Sequence, residues 1–146
     1  AMQDNTNILQ KFLDTDILKM DLILITINTH LRGEHWILGI IHLKLKMIII
    51  LDSLLSLDER KEHFLCLLQI TYLCYNASNY CNETSLKFDL SEWQCVYAND
   101  SIQQSNMFDC GLYVCLHAFC FITDTYFFNT PSNDGREWLY YNSPII

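Results

Sequence analysis

A cysteine that opens an apolar helix behind a loop of side-chain amides is equipped to be a nucleophile. Residues 103–115 read QQSNMFDCGLYVC, and Cys110-Gly111 stand where the polar loop gives way to the apolar run. Asp109 reads as the helix cap, which puts Cys110 in the first turn, where the positive end of the helix dipole favours a thiolate. Gly111 lacks a Cβ and lets the backbone pass close to a substrate carbonyl. The N–H of Cys110 and the side-chain amide of Gln104 can then hold an oxyanion, and one such donor is typically worth about 10²–10³ in rate. A buried structural cysteine needs none of these neighbours, although the triplet Asp-Cys-Gly by itself is a weak signal.

A nucleophilic thiol also needs a base, and the base needs a group to orient it. His35 and Asp52 are placed for both roles. If the strands around them form a hairpin turning tightly at Leu43-Lys44, the two residues face each other across its open end. Directly opposite Cβ atoms in such a pair lie about 4.5–5.5 Å apart, within reach of an imidazole–carboxylate bond. No Asn-Gly marks the turn, so a register shifted by one residue is also open. So is a plain polar pair at a wet sheet end. His30 is a rival base in an expected loop, without a carboxylate at the matching distance.

These residues must be positioned by a core, and the composition supplies one. The chain has 146 residues, 51% hydrophobic and 13% aromatic, which suits one folded domain rather than disorder. Its net charge of −8, with no basic patch, argues against nucleic acid. The apolar stretches are too short or too interrupted to span a bilayer, and no secretory signal is visible. Seven cysteines without any C-x-x-C spacing disfavour a disulfide framework or a zinc ribbon. Most are expected as small core hydrophobes in a reducing compartment. The sequons at Asn76 and Asn82 carry no weight in an intracellular protein. No cofactor or metal is expected, and the oligomeric state is left open.

Apolar alternation predicts strands over 21–29, 36–45 and 47–51, the last apolar on both faces as in a central strand. The S-x-x-E pattern at Ser56–Glu59 opens a helix to about Tyr75. A polar loop over 76–85, a strand over 93–98, a loop over 99–108 and a mostly buried helix over 111–122 follow. Short helical pieces are expected around 8–13 and 136–141, and Ser143-Pro144 close the chain. One α+β domain over residues 1–146 is the economical reading.

With these elements in place, the set resembles the catalytic domain of the Ulp1/sentrin-specific protease family, cysteine peptidases of the adenain-like clan. The resemblance rests on His35-Trp36 opening one strand, Asp52-Ser53 closing the next, and the block from Gln103 to Gly111, in an order and spacing like that family's. It covers about residues 17–122. It implies a papain-like fold in permuted order, with a mixed sheet packed by helices. It implies His35 as general base, Asp52 as its orienting carboxylate, Cys110 as nucleophile and Gln104 in the oxyanion hole. Trp36 would line the narrow channel for an extended Gly-Gly tail, beside Gly111. The implied reaction is cleavage after the terminal glycine of SUMO or a related modifier such as ubiquitin or NEDD8, in the nucleus or cytoplasm. The chain departs from the family in having only 34 residues before His35, none of them Trp, so a shortened N-terminal segment is expected. A modifier-binding pseudoprotease is a second reading. An acyltransferase on the same fold is a third, usually accompanied by a basic inositol-phosphate site that this chain lacks.

Overall fold

The computed structural model describes residues 17–29, 35–55, 60–125 and 131–142. The expected turn at 8–13, the rival His30, the Ser56–Glu59 capping pattern and Ser143-Pro144 lie outside the described residues. Four strands form one sheet: β1 (Leu22–Thr29), β2 (His35–His42), β3 (Met47–Leu51) and β4 (Gln94–Tyr97), side by side in that order. β1, β2 and β3 are antiparallel neighbours, whereas β4 runs parallel to β3. The sheet is therefore mixed.

Its two faces are covered by different helices. α1 (Arg60–Asn82) brings Leu67 against Ile37, Ile41, Ile48 and Ile50, with Trp93 closing the same cluster. α2 (Cys110–Thr123) brings Val114 against Leu38, Ile40 and Ile49. Burial on both sides explains why β3 reads Met-Ile-Ile-Ile-Leu without alternation. Gly39 makes the α1 packing possible, because a Cβ there would stand 2.9 Å from both Leu67 methyl carbons. α3 (Ser132–Asn142) sets Trp138 and Leu139 against the lower part of α2, around Tyr113 and Leu116.

Three expectations need correction. The hairpin turn spans Leu43–Lys46, with Lys46 at φ 53°, so Leu38 pairs with Leu51 and His42 with Met47. That register is displaced by two residues from the tight turn at Leu43-Lys44. Neither residue there suits the positive φ that a two-residue hairpin loop demands, and Leu43 is instead buried with its N–H on the Asp21 carbonyl. Because strand side chains alternate with period two, the displacement leaves His35 and Asp52 on one face. They become diagonal rather than direct neighbours, still within reach of long side chains.

α1 also continues to Asn82, through residues expected as loop. Its buried stripe of Leu67, Thr71, Cys74 and Ser78 keeps helical spacing past Tyr75, and that packing overrides the turn preference of Asn76, Ser78 and Asn79. The cysteines are mostly not core residues. Cys66, Cys81, Cys95 and Cys115 are exposed, on outer helix faces or on the edge strand β4, while Cys74 and Cys110 are buried.

Candidate active site

Strand direction gathers the chemistry at one end of the sheet. β2 begins there with His35, and the antiparallel β3 ends there just before Asp52. β4, parallel to β3, ends there too, and the loop from Ala98 to Asp109 crosses directly to Cys110 at the start of α2. Val114, one turn further along α2, is held against the middle of the sheet, which fixes where the helix begins.

His35 Nε2 lies 2.8 Å from Asp52 Oδ1. Asp52 is only 2% exposed, and the same Oδ1 accepts the N–H of Leu54 at 2.9 Å. Oδ2 accepts the Tyr97 hydroxyl at 2.8 Å. Burial pushes the Asp52 carboxyl upward, but the bonds from His35, Leu54 and Tyr97 outweigh it and hold the group below the ordinary carboxylate value. The His35 imidazole is raised above its ordinary value, chiefly by the Asp52 bond, against burial and with further help from Cys110. The Asp52 carboxylate thereby makes a proton easier for the ring to hold once it has taken one.

Cys110 is 4% exposed and stands close enough to the His35 ring to help raise its pKa. Nδ1, the ring atom not engaged by Asp52, is buried without a partner of normal hydrogen-bond geometry.

The loop carrying Gln104 is sewn to the residues around Asp52. Ser101 Oγ and Gln103 Nε2 both donate to the Asp52 carbonyl, at 3.1 and 3.2 Å. The Gln104 N–H donates to the Ser53 carbonyl at 2.9 Å, and Ser53 Oγ donates to Gln104 Oε1 at 2.5 Å. Gln104 Nε2 donates to the Asn106 carbonyl at 2.5 Å, which uses one of its two hydrogens. Asn106 Oδ1 in turn accepts the N–H groups of Phe108 and Asp109.

Asp109 occupies the cap position without a side-chain capping bond. Its carboxylate accepts from Asn106 Nδ2 at 2.7 Å and pairs with Arg136 of α3. The expected cap is replaced by a clamp between loop and helix, because Asn106 and Arg136 reach the carboxylate from outside α2.

Trp36, next to His35 on β2, is 38% exposed. Gly111 is exposed, and a Cβ on it would meet nothing within 4 Å, so the ground beside Cys110 is open. The sequence-predicted residues therefore group unevenly. His35, Asp52 and Cys110 converge, Gln104 is tied in through Ser53, and Trp36 and Gly111 flank them along the chain. Sequence reasoning missed Tyr97 and the cation of Arg60, whose guanidinium carbon sits 3.5 Å from the Tyr97 ring centroid. The available signal was the parallel pairing of Ile50 with Tyr97, which carries the tyrosine to the strand end where Asp52 lies. Among the described residues no cluster of His, Cys, Asp or Glu is suited to a metal ion, and no helix is long and apolar enough to cross a membrane.

A thiol, an imidazole and a carboxylate stand together at the end of a mixed sheet on an α+β scaffold, an arrangement of the kind that cysteine proteases use. Comparison with known proteins narrows the class. The model of the Ulp1 protease family, C-terminal catalytic domain, matches residues 3–134. The chain belongs to the Ulp1 protease family. It is 38% identical over 104 residues to ubiquitin-like-specific protease 1 of Saccharomyces cerevisiae, covering 70% of this chain and 15% of that protein. It is 28% identical over 106 residues to ubiquitin-like-specific protease ESD4 of Arabidopsis thaliana, covering 72% and 19%. Among solved structures, the SUMO protease Ulp1 with its catalytic cysteine oxidized to a sulfenic acid superposes with a TM-score of 0.65 at 27% identity, over 90% of this chain and 56% of that one. The Ulp1 protease domain in complex with Smt3, the yeast ortholog of SUMO, gives 0.55 at 26% identity, over 89% and 53%. The chain thus spans less than a fifth of these two curated relatives and little more than half of these two solved chains.

Proposed function

We propose that this chain, as one domain, is a thiol protease that hydrolyses the peptide or isopeptide bond after the C-terminal Gly-Gly of SUMO or a related ubiquitin-like modifier, inside the cell. The observation that carries this reading is the 2.8 Å His35–Asp52 bond with the Cys110 thiol against the same imidazole. The names of the two curated relatives and the Smt3 complex of the solved domain support the modifier class.

In the first half-reaction the Cys110 thiol gives its proton to His35 Nδ1 and Sγ bonds the scissile carbonyl carbon. Asp52 holds the imidazolium by its Nε2–H, so Nδ1 stays turned toward sulfur. The oxyanion is met by the Cys110 N–H and by the second hydrogen of Gln104 Nε2. The carbon–nitrogen bond then breaks as His35 delivers its proton to the leaving amine, which departs and leaves a thioester on Cys110. In the second half-reaction a water loses a proton to His35 and attacks the thioester carbon. Sγ leaves with that proton, and the modifier is released as a carboxylic acid. A glycine tail suits the open ground at Gly111, and the half-exposed Trp36 offers it a flat wall.

The test is covalent. SUMO, NEDD8 and ubiquitin carrying a C-terminal electrophile are each incubated with the folded protein, and the adduct is read by mass spectrometry. At least one probe adds its mass to wild type and none adds to Cys110→Ala. Labelling that survives in Cys110→Ala moves the nucleophile elsewhere, and silence from every probe with folded wild type removes the protease reading.

A further inference from the structure

Behind Asp52 stands a pair of residues for which the two half-reactions provide no task. Tyr97, the last residue of β4, donates its hydroxyl to Oδ2, the carboxylate oxygen that His35 does not use. Arg60, the first residue of α1, lays its guanidinium over the Tyr97 ring at 3.5 Å from the centroid. A cation at that end of a helix meets the positive pole of the macrodipole, so α1 gains nothing from it there. The face of an electron-rich ring is a favourable place for such a cation. Burial and the Asp52 bond push the phenol upward while Arg60 pulls it back, so the hydroxyl keeps its proton and stays a donor.

We propose that Tyr97, backed by Arg60, is a positioning residue for the His35 imidazole and acts through the Asp52 carboxylate. Oδ1 receives His35 and the Leu54 N–H, and Oδ2 receives Tyr97, so donors grip both ends of the group. Rotation about the terminal carboxylate bond would break all of these bonds together. The plane of the carboxylate is fixed, and with it the direction in which His35 presents Nδ1 to Cys110. No proton passes to or from Tyr97. The parallel attachment of β4 beside β3 makes this possible, since it carries the tyrosine to the same sheet end as the carboxylate.

The proposal rests on the thiol-protease reading and is tested separately from it. Tyr97→Phe deletes the hydroxyl and keeps the ring beneath Arg60. With a fluorogenic SUMO C-terminal amide as substrate, kcat falls about 10-fold, as expected when one bond to a buried charged group is lost, while KM stays near wild type and the protein stays folded with its urea midpoint lowered by about 1 M. Arg60→Gln gives a smaller loss in kcat, and the double variant is no slower than Tyr97→Phe, because Arg60 works through the hydroxyl. An unchanged kcat in Tyr97→Phe, a loss carried by KM, or additive losses overturns the proposal. If wild type turns over no substrate, the protease reading fails, and positioning is read from the His35 Nε2–H proton resonance. Tyr97→Phe shifts or broadens that signal if the hydroxyl positions the pair; an unaltered signal overturns it.

Discussion

His117 should make the protein lose stability in mild acid, by an amount the structure sets. The residue lies on α2 with 3% of its surface exposed, and its Nε2 donates to the Ile102 carbonyl at 3.3 Å. Burial lowers its pKa from 6.5 to about 4, against smaller opposing influences from the Ile102 bond and the Asp52 charge. Between those two values the unfolded chain takes up a proton that the folded chain refuses, so stability falls as pH falls through the window. Taking the pH from 7 to 4.5 should therefore cost about 2–3 kcal/mol, at about 1.4 kcal/mol per pKa unit. With a urea slope of about 2 kcal/mol/M, the midpoint falls by about 1 M.

Other shifted groups act outside this window. The folded-state pKa of His35 is raised, so its contribution is complete below 6.5 and is lost only as pH rises through the raised value. Asp52 and Asp109 are lowered, so their contributions are present above 3.8 and are lost as pH falls through the lowered values. The assay is urea unfolding followed by tryptophan fluorescence at pH 7 and 4.5, for wild type and for His117→Gln, whose amide can still donate to Ile102. The wild-type midpoint drops and the variant's drops much less. Parallel drops in the two proteins would refute the reasoning.

Gln104→Ala should lower turnover about 10²–10³-fold through the lost oxyanion donor. The same change should cost about 1–3 kcal/mol of stability, because the buried Ser53 hydroxyl loses its acceptor, and kinetics and urea unfolding on one preparation separate the effects. Gly39→Ala should destabilise by about 1–3 kcal/mol, since a Cβ 2.9 Å from two Leu67 carbons and 3.0 Å from Ile27 Cδ1 forces those buried side chains, or α1 with them, to give way. A smaller residue in its path, as in Gly39→Ala with Leu67→Val, should recover part of that loss in thermal melting.

Much of the scaffold could be read from the chain because its signals are local. The unbroken run Met47–Leu51 is apolar on both faces because α1 and α2 cover both, and the end of the amide-rich loop at Cys110 coincides with the start of α2. The pairing of His35 with Asp52 was legible because side-chain alternation survives a register error of two residues. Asp109 takes the expected cap position, but its bonds were not legible, for the opposite reason. A carboxylate at a cap position normally bonds the helix's own N–H groups, but Asn106 and Arg136 compete for it, and Arg136 comes from a helix 27 residues away.

The sequence by itself determined which groups are reactive and on which strand face they fall, since residue type and period-two alternation are properties of a few neighbouring positions. The tertiary structure alone decided that α1 runs on to Asn82, that four cysteines face solvent, and that Tyr97 and Arg60 stand behind Asp52. Each of these depends on what packs against a residue from a distant part of the chain. β4 could have paired with either edge of the sheet, and only its parallel seat beside β3 brings a phenol to the carboxylate.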